Sequence, residues 1–225
     1  MLNYAVDPEL LNRNVPPGTL LDSFDGKTYV SLVGFRFFNT KLFGALHVPF
    51  HVDFLEANLR FYVRRRKGDD DRRGVVFISE IVPKHAIAAV ARLVYGENYT
   101  CLPMKHRINT KGLKRTVEYQ WKIRGQWCAL FAEGANLPAQ PQSGSLEQFI
   151  TEHYWGYSAQ RTGGSLEYHV SHVPWKVWST SRAGFEGDCS ALYGCELGAI
   201  LQRPPDCAFI ADGSPVIVHR GERVK

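Results

Sequence analysis

No stretch of this 225-residue chain approaches the length of apolar sequence that a membrane-spanning helix needs. No such helix is therefore expected, and no membrane partner. Met1 to Glu9 contain no basic segment followed by an apolar one, so no secretory leader is expected either. The five cysteines, Cys101, Cys128, Cys189, Cys195 and Cys207, form no C-x-x-C pair, and their odd number fits a reducing compartment. A cytoplasmic protein without disulfides is the expectation. Charge of one sign is also lacking: 27 basic against 22 acidic residues leave a net +5, spread along the chain. That excess favours anionic partners only weakly and gives no nucleic-acid signature. The nucleophile elbow G-x-S-x-G, the phosphate loop G-x-x-x-x-G-K-[ST], the zinc motif H-E-x-x-H and the dinucleotide glycine fingerprint are all missing. No cofactor and no metal site is expected, since Cys189 and Cys195 would need histidines from elsewhere to ligate one. Internal repeats and a strand-helix-strand rhythm are absent too, which argues against a doubly wound fold.

What is present is best seen at residues 54–66, F-L-E-A-N-L-R-F-Y-V-R-R-R. Glu56, Asn58, Arg60, Tyr62 and Arg64 fall on one parity; Leu55, Ala57, Leu59, Phe61 and Val63 fall on the other. Side chains alternate across a strand, so this is a strand with one apolar and one polar face. A polar face that meets water carries little meaning. One that points inward can line a pocket: the planar Arg60 fork suits a carboxylate or phosphate, Glu56 can take a proton or pair with Arg60, and Asn58 and Tyr62 can orient a polar ligand. A buried structural network is the competing reading.

The rest of the chain reads mostly as strands. Thr28 to Phe38 is aromatic and β-branched, Leu46 to Val52 is extended, and Gly74 to Ile81 pairs with 54–66 across a long charged loop at Lys67 to Asp71. Lys114 to Ile123 and Trp127 to Ala132 form a second hairpin around Gly125. Pro83 opens a helix whose Ala86, Ala89, Val90, Leu93 and Val94 recur at helical spacing before Gly96. Ser145, with Gln148 three residues on, starts a short helix. Leu166 to Val173, Ala208 to Ile210 and Pro215 to His219 are further strands, while 184–206 resists assignment.

Two other clusters carry titratable groups. His169 and His172 lie three apart in Tyr168 to Trp175, so on a strand they face opposite sides and do not share a metal. His172, beside Pro174-Trp175, is the preferred acid or base of the two. In Leu102 to Arg107, Lys105 is flanked by His106 and Arg107; a neighbouring cation favours a neutral, nucleophilic amine, although a surface charge run reads the same way.

Several segments, in order along the chain, carry a family resemblance: Val15-Pro16-Pro17-Gly18, Phe24 to Val33, Glu56-Ala57-Asn58-Leu59-Arg60-Phe61-Tyr62-Val63, Gly74 to Ser79, Ala91 to Gly96, Phe149 to Tyr154 and His172 to Trp175. The chain resembles the YqjF-like family of uncharacterised conserved bacterial proteins, domain-of-unknown-function family 2071. That family is similar in fold to acetoacetate decarboxylase. The resemblance implies one such domain over residues 1–225, of α+β class, built as a curled antiparallel β-sheet or cone-shaped β-barrel with peripheral helices and a central cavity. In the decarboxylase a Schiff-base lysine belongs to a Lys-Lys pair soon after a helix, and a glutamate and an arginine help to form the pocket. Here the matching stretch reads Gly96 to Cys101 without a lysine pair, and Lys105 takes the role only in a shifted alignment.

The expected function is therefore the binding of a small polar or anionic organic molecule by Glu56, Asn58, Arg60 and Tyr62. Glu56, Lys105 and His172 are the candidates for any catalysis. Two alternatives stand beside it: keto-acid decarboxylation through Lys105, and a non-catalytic structural or regulatory protein in which Glu56 consumes Arg60.

Overall fold

The computed structural model describes residues 1–38, 41–42, 46–47, 53–86, 88–89 and 96–224. Its strands are β1 (Leu2–Val6), β2 (Leu20–Leu21), β3 (Thr28–Phe37), β4 (Lys41–Leu42), β5 (Leu46–His47), β6 (Phe54–Lys67), β7 (Asp70–Val82), β8 (Tyr99–Cys101) and β9 (Met104–Lys111). There follow β10 (Lys114–Ile123), β11 (Gln126–Gly134), β12 (Trp155–Ala159), β13 (Ser165–Ser171), β14 (Val177–Glu186), β15 (Cys207–Ala211), β16 (Ile217–Val218) and β17 (Glu222–Val224). Helices α1 (Glu9–Asn12), α2 (Leu146–Thr151) and α3 (Ser190–Leu201) accompany them.

Fifteen strands form one sheet in the order β16-β13-β12-β7-β6-β3-β1-β15-β14-β11-β10-β9, with β17 on β13, β2 on β6 and β8 on β7. The expected α+β class holds, but the curled antiparallel sheet or β-barrel does not. The strand path has two free ends, β16 and β9, that do not pair with each other, and the sheet is open rather than closed or strongly curled. Nor is it purely antiparallel. The edge of β7 away from β6 is shared by two parallel partners, β8 along Glu80 to Val82 and β12 along Gly74 and Val75. Closing a barrel needs a consistent stagger around the whole ring. A two-residue terminal strand and a change of strand direction at β7 do not supply it.

The hairpin of β6 and β7 is tighter than expected. Pairing continues to Lys67 and Asp70, so the charged run lies in the strands and the turn is Gly68-Asp69, with Gly68 at φ 62°. Ser145 caps α2 as its spacing predicts, accepting from the Gln148 N–H at 3.3 Å. The unassigned 184–206 contains α3, broken at Gly194 where φ is 83°. Of the expected helix after Pro83, only Ala86 and Ala89 of its apolar set are described; Val90, Leu93 and Val94 lie outside the described residues, as do 48–52 of the expected extended segment.

Both faces of β6 are covered. Ala57, Leu59, Phe61 and Val63 are fully buried in a core shared with Leu2 and Tyr4 of β1, Trp121 of β10, Leu130 of β11 and Leu197 of α3. The contact is close: a Cβ at Gly34 would stand 2.8 Å from the Tyr119 and Leu130 side chains. The other face carries Tyr62 into a smaller cluster with Tyr29, Val75, Phe149 and Ile150, where α2 covers the sheet. No described helix is long and apolar enough to cross a membrane.

Candidate functional site

The polar parity of β6 is buried at Glu56, Asn58 and Tyr62, half-buried at Arg60 and exposed at Arg64. Glu56 is 2 % exposed, Asn58 1 % and Tyr62 1 %. Register explains what surrounds them. Asn58 pairs with Glu80 of β7, and Glu80 pairs with Tyr99 of β8, so the three stand side by side on adjacent strands. Beyond Asn58 the register of β6 and β7 shifts between Leu59 and Arg60, so that Arg60 faces Phe77 rather than the next residue in step. A bulge of this kind bends the strand and re-aims the side chains beside it.

Hydrogen bonds tie the cluster together. Asn58 Nδ2 donates to Glu56 Oε1 at 3.1 Å, and the Tyr99 hydroxyl donates to Glu56 Oε2 at 3.2 Å. The Tyr168 hydroxyl of β13 donates to Glu97 Oε1 at 3.0 Å. Three buried carboxyl groups, Glu56, Glu80 and Glu97, therefore share one region. Burial pushes the Glu56 carboxyl up to about 7, against the Asn58 and Tyr99 hydrogen bonds and the Arg60 charge. Burial raises Glu97 to about 8, opposed by the Tyr168 hydrogen bond. Glu80 is pushed well above the carboxylate range, first by burial and then by the charges of Glu97 and Glu56, against a hydrogen bond from Tyr99.

Some atoms of this cluster lack partners. Asn58 Oδ1, Glu80 Oε2 and Arg60 Nε are buried without a hydrogen bond. Among the described residues no ion pair joins Arg60 to a carboxylate, although its charge is felt by Glu56; its guanidinium lies 5.9 Å from the Tyr62 ring centre. The Tyr62 hydroxyl is within 2.6 Å of Ser31 Oγ, which donates to Asn3 Oδ1 at 2.6 Å. Buried polar groups normally find partners, so these unpartnered atoms are the ones a polar ligand on this face would contact.

His172 lies near this face. It is half-buried between Tyr154 and Trp175, its Nδ1 is 2.9 Å from the Val173 carbonyl, and its protonation is disfavoured by burial and, to a lesser degree, by Arg60. Lys105 is elsewhere. It is exposed on the edge strand β9, its ammonium 4.2 Å from the Trp127 ring centre, in a surface depression also lined by His106, Arg107, Glu118 and Gln120. No lysine is buried among the described residues.

The sequence reading missed Glu80, Glu97, Tyr99 and Tyr168. Glu80 had a visible signal, a carboxylate inside the run Val75 to Val82, which is otherwise apolar but for Ser79. Glu97 and Tyr168 come together only through the pairing of distant strands. A second buried pair was also missed: His153 Nε2 is 3.3 Å from Asp22 Oδ2, and Arg73 Nε donates to the same oxygen at 2.7 Å. Among the described residues, no group of three or more His, Cys, Asp or Glu side chains is arranged to hold a metal ion.

Known proteins of similar fold and sequence agree with this architecture. An acetoacetate decarboxylase from Legionella pneumophila superposes with a TM-score of 0.64 at 15 % identity, covering 100 % of this chain and 83 % of that one. The enduracididine biosynthesis enzyme MppR, complexed with pyruvate, gives 0.66 at 14 % identity over 99 % of this chain and 86 % of its own. An acetoacetate decarboxylase-like enzyme from Sphingomonas wittichii RW1 gives 0.64 at 13 %, over 100 % and 89 %. In sequence, the uncharacterized protein YqjF of Bacillus subtilis (strain 168) is 26 % identical over 178 residues, 77 % of this chain and 69 % of the relative. The family model described as an uncharacterized conserved protein, DUF2071, matches residues 1–215, and the chain belongs to that family.

Proposed function

We propose that the protein binds a small organic carboxylate on the inward polar face of β6, with Arg60 taking the anionic group and Glu56, Asn58 and Tyr62 orienting the rest. The observation that carries this is Arg60 itself. Its Nε is buried without a hydrogen bond, and among the described residues no carboxylate pairs with it although Glu56 lies four residues away on the same parity. A guanidinium kept from its neighbouring carboxylate is available to an outside anion. The same observation counts against the purely structural alternative, which needs Arg60 consumed by Glu56.

The fold supports a ligand of this class. MppR, of similar architecture, has been seen with pyruvate bound, so pyruvate-sized carboxylates are the rational first panel for this chain. Schiff-base decarboxylation through Lys105 has less support, because that amine is exposed and lies on an edge strand. A lysine lowered in pKa for such chemistry needs burial or a crowded cationic site.

Calorimetric titration with pyruvate, acetoacetate and other small carboxylates tests the reading. Saturable binding is expected, weakened at least about tenfold in Arg60→Ala, in line with the loss of a charge-assisted hydrogen-bonding group, and less in Arg60→Lys. Equal binding by wild type and Arg60→Ala, or no binding of any carboxylate, overturns it.

A further inference from the structure

We propose that the occupant of this site carries a cationic nitrogen as well as a carboxylate: an amino acid or a similar small zwitterion, its carboxylate on Arg60 and its ammonium among Asn58, Glu80 and Glu56. This rests on the carboxylate-binding reading of Arg60 and names the other end of the ligand.

The pattern of orphaned atoms carries the argument. Arg60 offers an unused donor, Nε, whereas Asn58 Oδ1 and Glu80 Oε2 are unused acceptors. A simple carboxylate answers the donor and leaves both acceptors empty. The two acceptors are cross-strand neighbours, since Asn58 pairs with Glu80. Both side chains are almost fully buried, at 1 % and 2 % exposure. An ammonium brings three N–H donors, enough for these two atoms and a Glu56 oxygen. Hydroxyl groups could meet the same atoms, but they would leave the carboxyls protonated, as burial keeps them, and supply no counter-charge against which one could ionise. Glu56, Glu80 and Glu97 interact with one another, and of the three only Glu56 feels the Arg60 charge, so ionising a second buried carboxyl calls for a further cation.

The groups that face this end are the Glu56 and Glu80 carboxyls from β6 and β7, the Glu97 carboxyl, the Tyr99 hydroxyl from β8, the Tyr168 hydroxyl from β13 and the Arg60 guanidinium from β6. Without a cation the carboxyls are held towards their protonated forms, as their upward shifts show. A bound ammonium reverses that preference, so binding releases protons and tightens as pH rises from 6 to about 8.

The test is calorimetry on the intact protein with ligands matched in shape, alanine against pyruvate and lactate, at pH 8 in two buffers of different ionisation enthalpy. The amino acid is expected to bind at least about tenfold more tightly than its partners and to release protons. In Glu80→Gln, and in Glu56→Gln as a second variant whose fold is checked by circular dichroism, the gap narrows because the amino acid loses affinity. Pyruvate or lactate binding as tightly as alanine without proton release overturns the inference while leaving the role of Arg60 intact. A preference for alanine that survives both variants also overturns it. Failure of every ligand overturns both readings.

Discussion

The Tyr168 hydroxyl reaches Glu97 at 3.0 Å only because its ring lies across Gly156, its cross-strand partner on β12. A Cβ at Gly156 would collide with that ring. The glycine is thus part of the buried acidic cluster although it carries no side chain. Gly156→Ala is expected to cost about 1–3 kcal/mol by overpacking, measured by denaturant unfolding. It should also free the tyrosine from Glu97. Tyr168→Phe removes the same hydrogen bond without crowding, so it should raise the titration of Glu97 above about 8, read by carboxyl NMR.

The buried carboxyls make stability depend on pH in a definite direction. Glu56 and Glu97 titrate at about 7 and about 8 in the folded protein, against about 4.3 for an unperturbed glutamate. The folded state therefore binds more protons than the unfolded one between those values, and these groups make stability fall as pH rises from about 4 through 7 to 8. Glu97→Gln abolishes its share of that slope. Relative to wild type, the variant should gain thermal stability at pH 8 compared with pH 5; an equal shift at both would contradict the assignment.

Asp22 and His153 act in the opposite sense. Burial opposes ionisation of Asp22, but hydrogen bonds from His153 and Arg73 outweigh it and hold the carboxyl at about 2. Its contribution is present above the unfolded value of about 3.9 and is lost as pH falls through 2. His153 is held below the usual histidine range, chiefly by burial. The unfolded chain takes up that proton more readily, so this group costs stability as pH falls through about 6.5. Asp22→Asn is expected to destabilise by about 1–3 kcal/mol at pH 7, with the difference from wild type shrinking towards pH 2.

Lys105 is expected to be irrelevant to the interior site. Borohydride treatment in the presence of pyruvate or acetoacetate, followed by intact-mass measurement, should yield no adduct that depends on Lys105. Loss of an adduct in Lys105→Ala would restore the Schiff-base alternative.

Glu167 anchors the other end of the hairpin. Its carboxylate receives Arg65 at 3.0 Å, Arg72 at 2.5 Å and the Tyr157 hydroxyl at 2.9 Å, while only 2 % exposed. Glu167→Ala removes the counter-charge that the largely buried Arg65 and Arg72 share, leaving Arg72 with Asp70, and should cost about 3 kcal/mol. Thermal unfolding, compared with a Glu167→Gln control that keeps the shape, checks it.

Much of this was legible in the chain itself. The alternation in β6, the strand at Thr28, the hairpin around Gly125 and the cap at Ser145 follow from local periodicity and capping chemistry, which depend on neighbours in sequence. The strand at Leu2 also alternates, Leu2 and Tyr4 against Asn3, yet its central position between β3 and β15 could not be read locally. The expected barrel failed because closure depends on which strands meet at the ends of the sheet, and no local pattern records that two parallel partners divide the edge of β7.

The sequence by itself determined that β6 has one polar and one apolar face, because side chains must alternate on a strand. It also determined that Glu56, Asn58, Arg60 and Tyr62 share the polar one. Only the tertiary structure decided that this face is buried, that Glu80, Glu97 and two tyrosines converge on it, and that Lys105 does not. Burial and convergence arise from strand pairing and packing between residues far apart in the chain, and they turn an alternating pattern into a desolvated site with orphaned donors and acceptors.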